Sequence, residues 1–218
     1  MLRNVIGTAF VCAVASLVLV GCGKPQPNEP EPEYEEEPPR RPPPPEPPPP
    51  PLKCESFDEG CVAKADVWVS IGERAEFQPP LGWAYAKLDD LTIARHERDA
   101  AIGYRVLPEP LQPKKDAAAV ISTLKPLFVE MAVEMPDATI KNALRKNGIV
   151  DDKGSLSLTT WDLQDKVKVD GEKGVVVLVV STLASGQGLI GAVALKGAVV
   201  SDHLEPLQQS YRSVRGGQ

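Results

Sequence analysis

Fifteen prolines crowd residues 25–51, and they decide what the first quarter of this chain can become. They cluster at 42–45 and 47–51, with Glu29, Glu31, Glu33, Glu35, Glu36, Glu37 and Glu46 set among them. Proline fixes φ and has no backbone N–H, so neither helix nor sheet is open to such a run. Its default is polyproline II at about 3.1 Å per residue, a reach of roughly 80 Å when fully extended. Repulsion between the glutamates stiffens it further. Any compact domain must therefore be built from the residues that follow, with the proline run as linker.

The residues before the run point to export. Arg3 supplies a short positive region, and residues 5–20 carry no charge, with Thr8 and Ser16 as their polar members. That is the hydrophobic region of an export signal, close to the minimum length of a membrane span. It ends Leu19-Val20-Gly21-Cys22, which resembles the lipobox of bacterial lipoproteins. The resemblance implies a signal peptide over 1–21, cleavage before Cys22, and membrane attachment through a diacylglyceryl group on the Cys22 thiol. The competing readings are an uncleaved transmembrane helix and an ordinary signal with a chance cysteine. The place of Cys22 favours the lipobox: it closes the apolar run, follows a glycine and stands just before a polar, proline-rich run. Two or three acyl chains also meet the requirement for more than one lipid signal. Gly23, where inner-membrane lipoproteins often carry Asp, implies the outer membrane, with the domain on the periplasmic face or the cell surface. In that setting residues 22–53 read as a spacer. Arg40-Arg41-Pro42-Pro43-Pro44-Pro45 is superficially similar to a proline-recognition ligand, but the modules that read such ligands are chiefly intracellular and eukaryotic.

What remains is roughly 155–160 residues, one ordinary domain, large enough to fold without staples. The net charge of −6 is uneven: residues 25–61 carry −7 and residues 62–218 carry −1. The folded part has no basic excess, which argues against nucleic acid as a partner. Of four cysteines, Cys12 leaves with the signal and Cys22 is lipidated. Cys54 and Cys61 remain, an even pair in an exported chain, and the expectation is a disulfide closing a small loop over 54–65. A zinc site would need four ligands, and the segment contains no histidine.

The globular part, 66–218, alternates strand and helix signals. Residues 66–71, Asp-Val-Trp-Val-Ser-Ile, read as a strand. Pro79, Pro80 and Gly82 force a turn between Phe77 and Trp83, after which 83–87 alternates. Residues 92–96 and 102–107 are further strands. Asp116 is placed as an N-cap, and Ala117, Val120, Ile121, Leu124, Leu127, Phe128, Met131 and Met135 recur at helical spacing. Pro126 is expected to kink or split that helix. A second helix is expected over 137–147, with Ile140 and Leu144 inward and Gly148 as its stop. Leu156, Leu158 and Thr160 alternate, residues 163–169 follow as strand, and 170–174 is a turn. The nearly unbroken apolar run 175–183 suggests a strand buried on both faces. It is expected to pair with 189–199 across the turn at 185–188. A last helix is expected from about Asp202, using the Asp202/Glu205 capping-box spacing, with Leu204, Leu207, Tyr211 and Val214 inward. The pattern argues for α+β, a central antiparallel sheet flanked by helices.

Against that background, Phe77-x-Pro79-Pro80-x-Gly82-Trp83 resembles the F-x-x-P-x-G-W opening of PsbP/DcrB-like domains. The closing helix over 204–211, followed by Ser213-Val214-Arg215 and preceded by a strand hairpin, is similar to the ending of the same group. The resemblance spans about residues 66–215 and implies an α-β-α sandwich. It also implies non-enzymatic work as an assembly factor, accessory protein or exported lipoprotein. It carries over no catalytic residue and makes Trp83 a packing anchor.

Chemistry-bearing patterns are sparse. Gly186-x-Gly188-x-x-Gly191 matches the dinucleotide-binding spacing, but strand rather than helix follows, and no acidic residue stands about 20 positions beyond Gly191. His96 and His203 are too few for most zinc sites unless carboxylates complete the set, and read as surface or cap-adjacent residues. Asp89-Asp90 and Asp151-Asp152-Lys153-Gly154 read as turns, without calcium-loop spacing. No serine stands in Gly-x-Ser-x-Gly. No cofactor, metal ligand set or catalytic residue is assigned. The expectation is a non-catalytic accessory or binding lipoprotein that works through contacts with an envelope protein. The alternatives are a carrier of a small apolar ligand and an envelope hydrolase whose site assembles in three dimensions.

Overall fold

The computed structural model describes residues 53–164 and 166–217. Cys22, residues 1–21, read above as a signal, and the proline-rich run lie outside the described residues. In chain order the strands and helices are β1 (Val69–Ile71), β2 (Ala75–Phe77), β3 (Ala84–Leu88), β4 (Leu91–His96), β5 (Ala100–Leu107), α1 (Ala117–Glu130), β6 (Val133–Glu134) and α2 (Asp137–Leu144). They continue with β7 (Ile149–Asp151), β8 (Leu158–Leu163), β9 (Lys168–Val169), β10 (Glu172–Thr182), β11 (Gly188–Lys196), α3 (Val200–Arg212) and β12 (Arg215–Gly216).

The fold is α+β, with a large antiparallel sheet ordered β3-β4-β5-β11-β10-β8-β7. β9 pairs with β10, and β6 with β9. The β10–β11 hairpin lies at the centre, in register from Gly174 opposite Lys196 to Thr182 opposite Gly188. Its valine-rich sequence is explained by burial on both faces. Val176, Leu178 and Val180 join one apolar cluster, and Val179 joins the other. α1 and α2 cover the first face through Val120, Leu124, Leu127, Ile140 and Leu144. The second face is covered by α3, through Leu207, and by a three-stranded sheet ordered β1-β2-β12. Gly103 lets α1 approach closely: a Cβ there would lie 2.6 Å from a Leu127 methyl.

Several local expectations are corrected. Asp116 stands at the N-cap position of α1, as expected, but its side chain makes no cap bond; its carboxylate instead accepts the Gln112 N–H at 2.9 Å. Pro126 does not split α1, which runs unbroken over fourteen residues. The proline and Ser122, whose carbonyl loses its partner, are both exposed, so water can satisfy that carbonyl. The helix ends before Met131 because Ala132 takes φ 52°. α2 stops at Leu144, so Gly148 is no helix stop; a Cβ on it would meet the Trp161 ring at 2.8 Å. The segment 163–169 is not one strand but the end of β8 and the short β9. β11 ends at Lys196, and Gly197–Val199 forms a 3-10 turn. α3 therefore begins at Val200, without a side-chain cap, so Asp202 lies inside its first turn and the capping box does not form. Pro206 lies within α3, and Leu204, expected inward, is exposed. No helix among the described residues is long and apolar enough to cross a membrane.

Candidate functional site

The two edges of the large sheet are treated differently. Beyond β3, the chain from Cys54 to Ala63 runs alongside and takes up the strand's outward groups. The Tyr85 N–H donates to the Cys61 carbonyl at 3.0 Å, and the Lys87 N–H to the Cys54 carbonyl at 2.7 Å. The Ala63 N–H donates to the Trp83 carbonyl at 2.8 Å. Cys54 and Cys61 are joined as a disulfide with 5.7 Å between their Cα atoms. The loop they close is clamped by Phe57, whose ring lies 3.7 Å under the Arg95 guanidinium. Lone strand edges are a template for pairing with other chains, and here the disulfide loop covers one of them.

The opposite edge is open. β7 pairs inward with β8, Ile149 opposite Thr160 and Asp151 opposite Leu158, and no described strand lies beyond it. Ile149 and Val150 are 66% and 57% exposed, unusual for β-branched residues in a strand. Beside this edge, on the α1/α2 face, lies an open groove of about 670 Å³. Its floor is Thr159, Trp161 and Val180, its far wall is Leu111 to Lys115, and its near wall is Asn147 and Gly148. The groove exists because Gly148 has no side chain and because the Trp161 indole is held down, its N–H donating to the Lys146 carbonyl at 3.3 Å. Lys114 reaches over it to Asn147, Nζ to Oδ1 2.5 Å. Such a volume matches a small-ligand pocket, though that class is usually more enclosed.

Two polar knots fix the surroundings. Asp151, at the end of β7, accepts hydrogen bonds from the Tyr211 hydroxyl at 2.5 Å and Arg212 Nε at 3.0 Å, and from the Lys153 N–H at 3.0 Å. Led by the Tyr211 bond, these hold its carboxyl down at about 2. This ties β7 to α3. Lys196, at the end of β11 and almost buried, meets Asp99 at 3.0 Å, Asp170 at 3.1 Å and Glu172 at 3.3 Å. Asp99 first, then the other carboxylates, raise its pKa, so this lysine is held as a cation and cannot serve as a neutral amine.

A third cluster was not legible in sequence. His96 ends β4 and His203 lies in the first turn of α3, and their rings come together with centroids 4.7 Å apart. Trp83 packs against both, tilted to His96 at 5.9 Å and edge-on to His203 at 5.5 Å. The surface reading is therefore corrected, since both rings are half-buried and in contact, while His203 does lie next to the start of α3. His96 Nδ1 is buried without a hydrogen-bond partner. The His203 pKa is lowered, first by burial and then by His96, against the opposing pull of Asp202 and Asp99. Among the described residues no group of three or more His, Cys, Asp or Glu side chains could hold a metal ion. The cluster couples α3 to the sheet. Trp83 is 4% exposed and packs as an anchor. Gly188 and Gly191 lie within β11, so no helix N-terminus is presented at the Gly-x-Gly pattern.

No protein-family model matches the chain, and no curated protein matches it. Among solved structures, one from Bacteroides thetaiotaomicron VPI-5482 is similar at a TM-score of 0.41 and 7% identity, over 68% of this chain and 50% of that one. The chain thus spans about half the length of that structure.

Proposed function

We propose that this chain is a non-catalytic lipoprotein of the cell envelope that displays a PsbP/DcrB-like binding module on a proline-rich stalk and acts through contacts with an envelope protein. The observation that carries the reading is the unequal treatment of the two sheet edges. One is sealed by a disulfide-closed segment, while the other is open, apolar and flanked by a groove. Open edges recruit strands from partner proteins, and a fold that covers one edge and leaves the other presents a directed surface. The lipobox-like Leu19-Val20-Gly21-Cys22 supports anchoring at Cys22, and Gly23 supports the outer membrane.

Two measurements test this. Cys22→Ala should move the protein from the membrane fraction to the soluble one; retention in the membrane fraction would remove the lipoprotein reading. A photo-crosslinking residue at position 150 should give one discrete adduct in cells, and the same residue at the covered-edge position 62 should give none. Equal adducts from both positions, or none from 150, would count against a partner at β7. The second reading, a small-ligand carrier, draws on the groove over Trp161 and Val180, and native mass spectrometry of the purified protein would reveal a co-purified ligand.

A further inference from the structure

We infer that β7 and its groove take an extended acidic segment of the partner, added to the sheet as a further strand with alternate side chains lying in the groove. This rests on the protein-contact reading above and names the chemistry of what binds.

The backbone argument comes first. Among the described residues β7 offers an unpaired strand edge, and its two exposed β-branched residues point to opposite faces of the sheet. Val150 sits opposite Thr159, whose side chain lines the groove, so Val150 lies on the groove face. A strand laid along β7 would continue the sheet about 4.8 Å further out, and every second side chain of it would face the groove. There it would meet Val150 and the rim of a floor made by Trp161 and Val180.

Charge selects the occupant. The folded part of the chain is close to neutral, but its charges are not evenly spread around this edge. Lys114 and Lys115 stand on the far wall of the groove. Arg145 and Lys146 lead directly into β7, and Lys153 follows it; all five are exposed. Of the acids here, Asp116 beside the far wall is turned to the Gln112 N–H and Asp151 is engaged by Tyr211 and Arg212, which leaves Asp152 as the one carboxylate at this edge not so held. The edge thus presents an excess of cation to whatever approaches it. A second copy of the chain would bring the same lysines to a two-fold contact, where like charges oppose pairing. An acidic strand meets them with complementary charge. The chemistry therefore asks for a segment that alternates acidic or polar residues with β-branched ones, with no proline, since each pairing residue must supply an N–H.

The test uses the full chain in detergent micelles and a short peptide alternating valine and glutamate. Three comparison peptides accompany it: a valine–lysine twin, a proline-interrupted version, and a form N-methylated along one edge so that it cannot donate to a strand. Hydrogen exchange followed by mass spectrometry should show the peptide segment spanning 149–151 slowed about tenfold by the glutamate peptide. The valine–lysine, proline and N-methyl forms should leave it unchanged. Lys114→Glu with Lys115→Glu, two exposed loop positions, should weaken binding about tenfold while leaving the melting temperature in place. Protection by the glutamate and lysine peptides alike, or unaltered affinity in the charge-reversed variant, would overturn the acidic strand. So would dimerisation that protects 149–151 without peptide, which would make a second copy the occupant. A discrete cellular adduct from position 150 combined with no peptide protection would sink this inference and leave the protein-contact reading standing; loss of both would sink both.

Discussion

Tyr104 shows how a single residue can be well packed and still cost stability. Its ring is fully buried, edge-on to Phe77 at 5.1 Å, and lies across Gly191, where any Cβ would run into it. Its hydroxyl has no hydrogen-bond partner, and burial drives its pKa upward. A buried polar group without a partner carries its full desolvation penalty, and removing the group relieves it. Tyr104→Phe should therefore raise stability by about 1 kcal/mol in denaturant titration, with the melting temperature up by about 2–4 °C; a loss would mean the hydroxyl is satisfied. Residue chemistry of this kind was unevenly legible. The pairing of Cys54 with Cys61 follows from parity and spacing, because a short loop brings its own ends together. The meeting of His96 with His203 does not, because it needs the end of one strand and the first turn of the last helix to be placed by everything between them. Gly148 is illegible for the same reason: the indole it makes room for belongs to Trp161, beyond β7 in β8.

At the scale of elements, periodicity was the reliable signal. The β10–β11 hairpin, α1, α2 and α3 were all visible as patterns, since each must bury a stripe or a face. Ends were less legible. α3 starts before Asp202 because the 3-10 turn at Gly197–Val199 already bends the chain into helix, leaving the Asp202/Glu205 spacing inside the first turn. The docking of that first turn has a pH signature. His203 meets His96 from β4, Trp83 ahead of β3, Asp99 in the β4–β5 turn and its own neighbour Asp202, and its pKa is lowered in the folded state. The unfolded chain then binds more protons, so stability rises with pH across this window. It should be fully present above the ordinary histidine value of 6.5 and fall as pH drops below that. Asp151 contributes in the same direction but only between its ordinary 3.8 and about 2, so the two windows separate. Thermal melts from pH 7.5 to 5 should lose stability in the parent and lose less in His203→Gln; parallel curves would remove His203 from the account.

At the scale of the whole molecule, the disulfide segment matters more for what it covers than for what it joins. Chain-entropy reasoning gives a loop of this length about 2.5 kcal/mol of stabilisation, with the two cysteines seven positions apart. Cys54→Ser with Cys61→Ser should lower stability by about that amount. It should also loosen the hydrogen bonds from Tyr85 and Lys87 that now occupy the β3 edge. Sedimentation velocity should then show the parent as a single species and the variant as a concentration-dependent ladder; a variant that stays a single species would mean the segment holds β3 without its crosslink. The ladder follows from valence. A sheet with one free end is a monofunctional unit, able to join once and then stop, as an end-capping reagent does in step-growth polymerisation. With both ends free it becomes bifunctional, and nothing limits the length of the product. If the ladder forms, oxidation of one cysteine pair is what sets whether this chain terminates a sheet or propagates it.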